Sequence, residues 1–252
     1  MAQDGGTRQR RAVATRAAII EAAAGEFDVR GYLGTSMDAV AERAGLTKGA
    51  LYFHFTSKAD LAAAVIARQH EVSRQYGEAA AARASSPLEA MMWMSQGLAS
   101  QMIHEVVVSA GIRLSTEAAT ADVARQDPYT DWMHVTADIM RRAVDAGEVD
   151  PAWDPELIGR VVIPAYTGVQ TVSDVLASRV DLYERLRELW TVLLAAIVTE
   201  RTRPEIPRLV GVIAPLPSDA GPPTDTHVTA HPQDTGRSVS PSAPVRGTPA
   251  VG

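Results

Sequence analysis

At 252 residues, of which 46% are hydrophobic, the chain is long enough to bury a sizeable core. Its formal charge of -6 excludes nucleic-acid binding by bulk electrostatics, so any basic footprint has to be local. The absence of cysteine excludes a disulfide framework, thiolate zinc sites and a cysteine nucleophile.

The only basic segment is at the start, where Arg8, Arg10, Arg11 and Arg16 face a single acid, Asp4, ahead of a body that turns acidic after Tyr76. Such an arm either stays solvated or lies along phosphate or minor groove. No apolar run follows these charges as it would in a signal peptide, and no stretch of about 18 uncharged apolar residues occurs. A soluble, cytoplasmic chain with no membrane partner is expected.

From about Thr15 to Arg201, apolar residues recur at three- and four-residue spacing without period-two alternation, which predicts an all-α fold. Helix starts are marked by Ser57 with Asp60, Ser86 with Pro87 and Glu89, Asp127 with Pro128, and Asp154 with Pro155. The first helix, near Arg16 to Arg30, places Ile20, Ala23, Ala24 and Phe27 on one face, and Gly31 suits a left-handed cap. A short helix from Met37 to Ala44, a turn at Gly45, a cap at Thr47 and a second short helix from Lys48 to about Phe53 spell a helix-turn-helix.

In such a motif the second helix enters the major groove with its N-terminal residues against bases and phosphates. Thr47 and Lys48 can donate there, Gly49 lets the backbone approach, and Tyr52 and His54 can reach phosphate oxygens. Lys58 adds charge beside the exposed N–H groups of the next helix. Ala39, Val40, Ala44, Leu46, Leu51, Phe53 and Phe55 are expected to close a small core beneath. The stretch TSMDAVAERAGLTKGALYFHFTSKAD, from Thr35 to Asp60, closely resembles the signature of the TetR family of transcriptional repressors. The resemblance implies contact with double-stranded operator DNA, and Thr35 and Ser36 join the expected contact set.

The helix from Lys58 to about Arg83 has Leu61, Val65, Val72 and Tyr76 on one stripe, with Gln69 among them. A polar amide on an apolar face must find a partner, either a neighbouring backbone group or a ligand. The next helix carries no charge between Ala90 and Ile103 and holds Met91, Met92, Met94 and Met102, so it runs through the interior. His104 and Glu105 lack a second histidine and read as a surface pair, with no metal site expected.

Asp127 to Gly147 presents Trp132, Thr136, Ile139, Met140 and Ala143 on one face. The surroundings DPYTDWM and the later IPAYTGVQ resemble the γ-butyrolactone autoregulator receptors of the same family. The resemblance implies that Trp132 lines a ligand pocket. Trp93, Trp153 and Trp190 match no such element. The span from Val161 through Ser173 has no charge and needs two partners, its own core and a second subunit. Pro164 should kink it. Thr167, just beyond, either binds a ligand carbonyl or bonds back to its own helix. The last helix stacks Leu182, Leu186, Leu189, Leu193 and Ile197, and the resemblance makes these two helices a homodimer interface.

After Arg203 the composition changes: ten of the fifteen prolines lie between Pro204 and Pro249. The expected organisation is therefore a DNA-binding domain with a basic arm over residues 1–56, a helical ligand-binding and dimerisation domain over 57–202, and a disordered tail over 203–252. An enzyme is disfavoured, since no nucleophile triad, metal-spaced cluster, Walker loop or GxGxxG occurs, and no cofactor is expected. An acidic body argues against an architectural DNA binder. Few inward acids or aromatics argue against a sensor of cationic drugs, and a regulator that responds to an antibiotic or other drug and controls efflux or biosynthesis genes is the alternative reading. The expected ligand is a small neutral molecule.

Overall fold

The structure, a computed structural model, describes residues 3–120 and 128–215. Its elements are α1 (Gln3–Gly34), α2 (Met37–Arg43), α3 (Lys48–His54), α4 (Lys58–Arg83), α5 (Pro87–His104), α6 (Val106–Thr116), α7 (Pro128–Asp145), α8 (Pro155–Ala177), α9 (Leu182–Ile197) and α10 (Ile206–Gly211). Among the described residues the only extended pairing is an isolated bridge between Val149 and Val198, so the fold is all-α as the spacing predicts.

The caps are where the sequence puts them. Ser57 accepts from the Asp60 N–H at 3.0 Å, Ser86 from Glu89 at 3.3 Å and Asp154 from Glu156 at 3.0 Å. The expected cap at Asp127 lies outside the described residues. The arm expected ahead of the first helix is part of it, because α1 begins at Gln3 and carries Arg8, Arg10 and Arg11 on its exposed N-terminal turns.

Gly31 interrupts α1 with φ of 66° and ψ of -180°, a backbone state open to glycine. A Cβ there would also come within 2.6 Å of Glu117 Oε1. The break releases the Tyr32 N–H, which donates to Glu117 Oε2 at 2.8 Å, while Arg113 of α6 donates to the Asp28 carbonyl and Ser109 donates to the Asp28 carboxylate at 2.5 Å. These bonds clasp α1 to α6 and so join the N-terminal helices to the body.

Ile19, Ile20, Ala23, Ala24 and Phe27 of α1 pack with Val40, Leu51, Phe55, Leu61 and Val65 in one continuous core. In the body, Met92, Met102, Met140, Leu186 and Trp190 are fully or almost fully buried. Gly111 of α6 allows a close approach to α4, since a Cβ there would meet the Gln69 Cβ at 2.3 Å. α8 runs on as one helix through Pro164.

The tail begins later than its composition suggests. Residues Arg203–Glu205 form a 3-10 turn leading into α10, and Ile206, Leu209 and Ile213 are buried, with α10 packed on α9 and α5. Arg187 donates to the Ile213 carbonyl at 3.2 Å and Gln96 to that of Ala214 at 3.3 Å. Pro204 and Pro207 fall in first turns, where a missing N–H costs no helical bond, so proline content misjudged this stretch. The remainder of the expected tail, 216–252, lies outside the described residues.

Candidate functional site

The residues singled out by the sequence gather in two places in the fold, one at the N-terminal end and one inside the body. At the first, Ser36 caps α2 by accepting from the Ala39 N–H at 3.1 Å, Gly45 takes φ of 66° in the turn, and Thr47 caps α3 by accepting from Ala50 at 3.2 Å. Leu51 is the buried residue of α3, which leaves Lys48, Gly49, Tyr52 and Phe53 exposed on one face. Nothing lies within 4 Å of a Cβ built on Gly49, so that face is open to close approach. Lys48 bonds Asp38 of α2 at 2.6 Å, and this carboxylate holds the lysine above its ordinary pKa. The pair is solvent-exposed, so a phosphate can replace the carboxylate at little cost. His54 is half-buried, with its ring edge-on to Phe53 at 5.3 Å between centroids.

Three residues at this end differ from expectation. Thr35 is 3% exposed and donates to the Gly31 carbonyl at 2.8 Å, closing the break in α1 instead of offering its hydroxyl outward. Lys58 donates to the Tyr32 and Thr35 carbonyls at 2.8 and 2.9 Å, with its ammonium 4.6 Å from the Tyr32 ring centroid. Its charge satisfies the carbonyl end of α1, a tertiary partner that local spacing does not reveal. Phe53, expected in the core, is 82% exposed, because in so short a helix Leu51 and Phe55 fill the inward positions.

Inside the body, α4, α5, α6, α7, α8 and α9 surround a cavity of about 100 Å³, and Gln69, Trp132 and Thr167 all line it. Among the described residues, no Asp, Glu, Lys, Arg or His side chain is in its wall. Gln69 donates to Ser73 Oγ at 3.1 Å, and Ser73 donates to Gln101 Oε1 at 3.1 Å. Thr167 donates to the Ile163 carbonyl at 2.9 Å, the back-bond to its own helix, so its single proton is used there and is not offered to a ligand carbonyl. Trp132 stands edge-on to His70, 5.6 Å between centroids, and His70 in turn lies 3.5 Å from Asp131. Tyr166 donates to the Ser95 carbonyl at 2.9 Å, and burial pushes its phenol far above the usual value.

The N-terminal helices match the family model for bacterial regulatory proteins of the tetR family over residues 19–65, and the body matches the tetracyclin repressor-like C-terminal domain over residues 85–199. Among curated proteins the chain is 34% identical over 190 residues to the A-factor receptor protein of Streptomyces griseus, covering 75% of this chain and 66% of the receptor. It spans about half the length of further curated relatives, 48% in two of them. A solved γ-butyrolactone receptor, described as ArpA-like, is 33% identical with a TM-score of 0.68, covering 81% of this chain and 98% of that one. The TetR family protein CprB from Streptomyces coelicolor, solved with its biological operator sequence, is 33% identical with a TM-score of 0.66 over 80% of this chain and 96% of its own.

The chain belongs to the TetR family. These relatives are transcriptional regulators and receptors, not enzymes. Among the described residues of this TetR-family protein, no helix is long and apolar enough to cross a membrane.

Several cavity residues of this TetR-family protein are not among those that the sequence singles out. Trp190 is fully buried, donates to Ser95 Oγ at 2.9 Å and forms part of the cavity wall. Gln101 and Gln170 also line it, each on a helix whose uncharged run reads simply as interior. An amide at a core position was the available signal, the same one that singled out Gln69.

Proposed function

We propose that this protein is a homodimeric, cytoplasmic transcriptional repressor that binds a palindromic operator through α3 and is released when a small neutral molecule of the γ-butyrolactone type enters the cavity. In this reading residues 1–56 read DNA and 57–202 sense ligand and dimerise. The observation that carries it is the uncharged cavity bounded by Gln69, Trp132 and Thr167, with Gln69 on the helix that also begins beside the reader at Lys58. A buried ion would have no counter-charge in that wall, which favours a neutral ligand over a cationic drug. The relatives that bear receptor names, and the one solved on its operator, support the same assignment.

On the DNA face, Lys48, Gly49, Tyr52 and His54 approach bases and phosphates, and Ser36 and Thr47 act from the helix starts. Thr35 and Lys58 serve through position, holding α1 against α4. Dimerisation is assigned to α8 and α9. Val161, Val172, Val175, Leu176 and Val192 are exposed there, and a run of exposed apolar side chains of this kind asks for a second copy.

Gln69 follows Lys58 by eleven residues of one helix, about 16 Å. A ligand that displaces α4 therefore alters the spacing of two reading helices that must match one DNA turn of about 34 Å. It releases DNA only as far as it prefers the mismatched spacing. Trp132→Ala is expected to keep operator affinity and lose release by a synthetic γ-butyrolactone, read as anisotropy of labelled operator. Release at the wild-type lactone concentration would remove Trp132 from the site.

A further inference from the structure

Resting on the reading of the cavity as the ligand site, we propose that Gln101 and Gln170 are ligand-binding residues that fix the ligand's polarity. Gln101 donates to an acceptor, such as a ring carbonyl, and Gln170 accepts from a hydroxyl. Both side chains line the cavity, Gln101 being 2% exposed and Gln170 6%. The Gln101 Nε2 and the Gln170 Oε1 are buried and have no partner among the described residues. Buried amide atoms left in this state are costly, and they persist where a ligand or water supplies the missing bond.

The direction of the Gln101 bond follows from its neighbours. Ser73 has one proton; it accepts from Gln69 and therefore donates to Gln101, which turns the Gln101 oxygen toward Ser73 and its nitrogen to the cavity. The N–H of Gln101 is thus the open end of a chain of donors that starts on α4, and each bond in such a chain polarises the next. Gln170 lies one turn beyond Tyr166 and Thr167, yet both hydroxyls donate elsewhere, to the carbonyls of Ser95 and Ile163. Neither has a proton left for Gln170. Gln96 is equally buried and also has an unpartnered oxygen, but it is outside the cavity wall and bonds the Ala214 carbonyl, so it takes no part. Met91, Met94, Leu98 and Ile163 supply the apolar remainder of the wall, suited to an alkyl chain.

The ligand so defined is an uncharged molecule with a carbonyl and a hydroxyl set beside an alkyl chain. When its carbonyl accepts from Gln101, the chain through Ser73 to Gln69 ties it to α4, the helix that carries the response toward the reader.

The test uses three probes with the full-length protein: a γ-butyrolactone bearing an α-hydroxyalkyl chain, its alkyl counterpart without the hydroxyl, and the tetrahydrofuran in which a methylene replaces the ring carbonyl. Affinities come from calorimetry without DNA. Loss of the hydroxyl is expected to weaken binding to wild type about tenfold or more, but binding to Gln170→Met less than about twofold. Loss of the carbonyl is expected to do the same for wild type against Gln101→Met. Equal losses in wild type and variant would overturn the assignment of that residue. A second measurement stands apart from the lactones. Gln170→Met exchanges an unpartnered amide for an apolar chain of similar length, so the Tm of the ligand-free protein should hold or rise. If no probe binds wild type, the lactone reading falls while this Tm still decides: a drop of several degrees would mean that Gln170 has a partner inside the protein, and would end the proposal.

Discussion

On α3 the groups available to a partner, Lys48, Tyr52 and Phe53, stand in solvent, whereas in the cavity they are the amides of Gln101 and Gln170, each more than nine-tenths buried. The exposed set is held by bonds within its own motif: Ser36 to Ala39, Thr47 to Ala50 and Lys48 to Asp38. The buried set depends on residues from α4, α5 and α8 meeting in space. A surface site can be assembled locally because water satisfies whatever is unused. A site inside the core leaves its unmet hydrogen bonds as an energetic penalty that a chosen ligand removes. The first arrangement suits a large, charged, exchangeable partner. The second suits selection of a small molecule by polarity.

The contrast can be broken most forcefully at the proposed dimer face. Leu176→Glu and Val192→Glu each place a charge on an exposed apolar position, 70% accessible in both cases, so the fold should survive. Splitting the dimer separates two linked half-site contacts and is expected to reduce operator affinity about 10²- to 10⁴-fold. Light scattering with a gel-shift titration checks both parts, and a monomer with unchanged affinity would contradict them.

Of comparable size is the C-terminal segment, which tests whether the body needs more than the helices around the cavity. Truncation after residue 215 should leave the Tm unchanged. Truncation after 202 removes Ile206, Leu209 and Ile213 from the core, at about 1.5–3 kcal/mol for each fully buried side chain. A clear fall in Tm is expected only for the shorter protein.

The smallest effects belong to the proposed reading face. Lys48→Ala and Tyr52→Ala should each weaken operator binding and flatten its salt dependence, by about one unit of slope for every phosphate that the variant no longer engages. For Phe53, 82% exposed on the same face, a thymine methyl in the major groove is the expected neighbour. Replacing thymine by uracil at that position should weaken wild type by about 0.8 kcal/mol, roughly fourfold, and leave Phe53→Ala unaffected. An equal response of the two proteins would remove Phe53 from base reading.

Much of this is legible in the chain without any tertiary information. Helical periodicity, the caps at Ser57, Ser86 and Asp154, the turn at Gly45 and the face of α3 all follow from bonds spanning three or four residues, so their determinants sit next to one another in sequence. Gln69, Trp132 and Thr167 also stand out there, the first as an amide on an apolar stripe and the others with help from the family resemblance. Lys58 is a different case, since its role depends on carbonyls 23 and 26 residues away. So is Phe53, whose exposure depends on Leu51 and Phe55 having filled the space beneath α3. The same holds for Trp190, whose bond to Ser95 spans 95 residues, and for Ile206, Leu209 and Ile213, whose apolar spacing is hidden among prolines until α5 and α9 offer a surface. What the sequence by itself determined was the helix-turn-helix and the capped helix starts, whose hydrogen bonds close locally. Which buried amides are left without a partner only the packed structure decided, because an unmet bond is a property of all the neighbours at once.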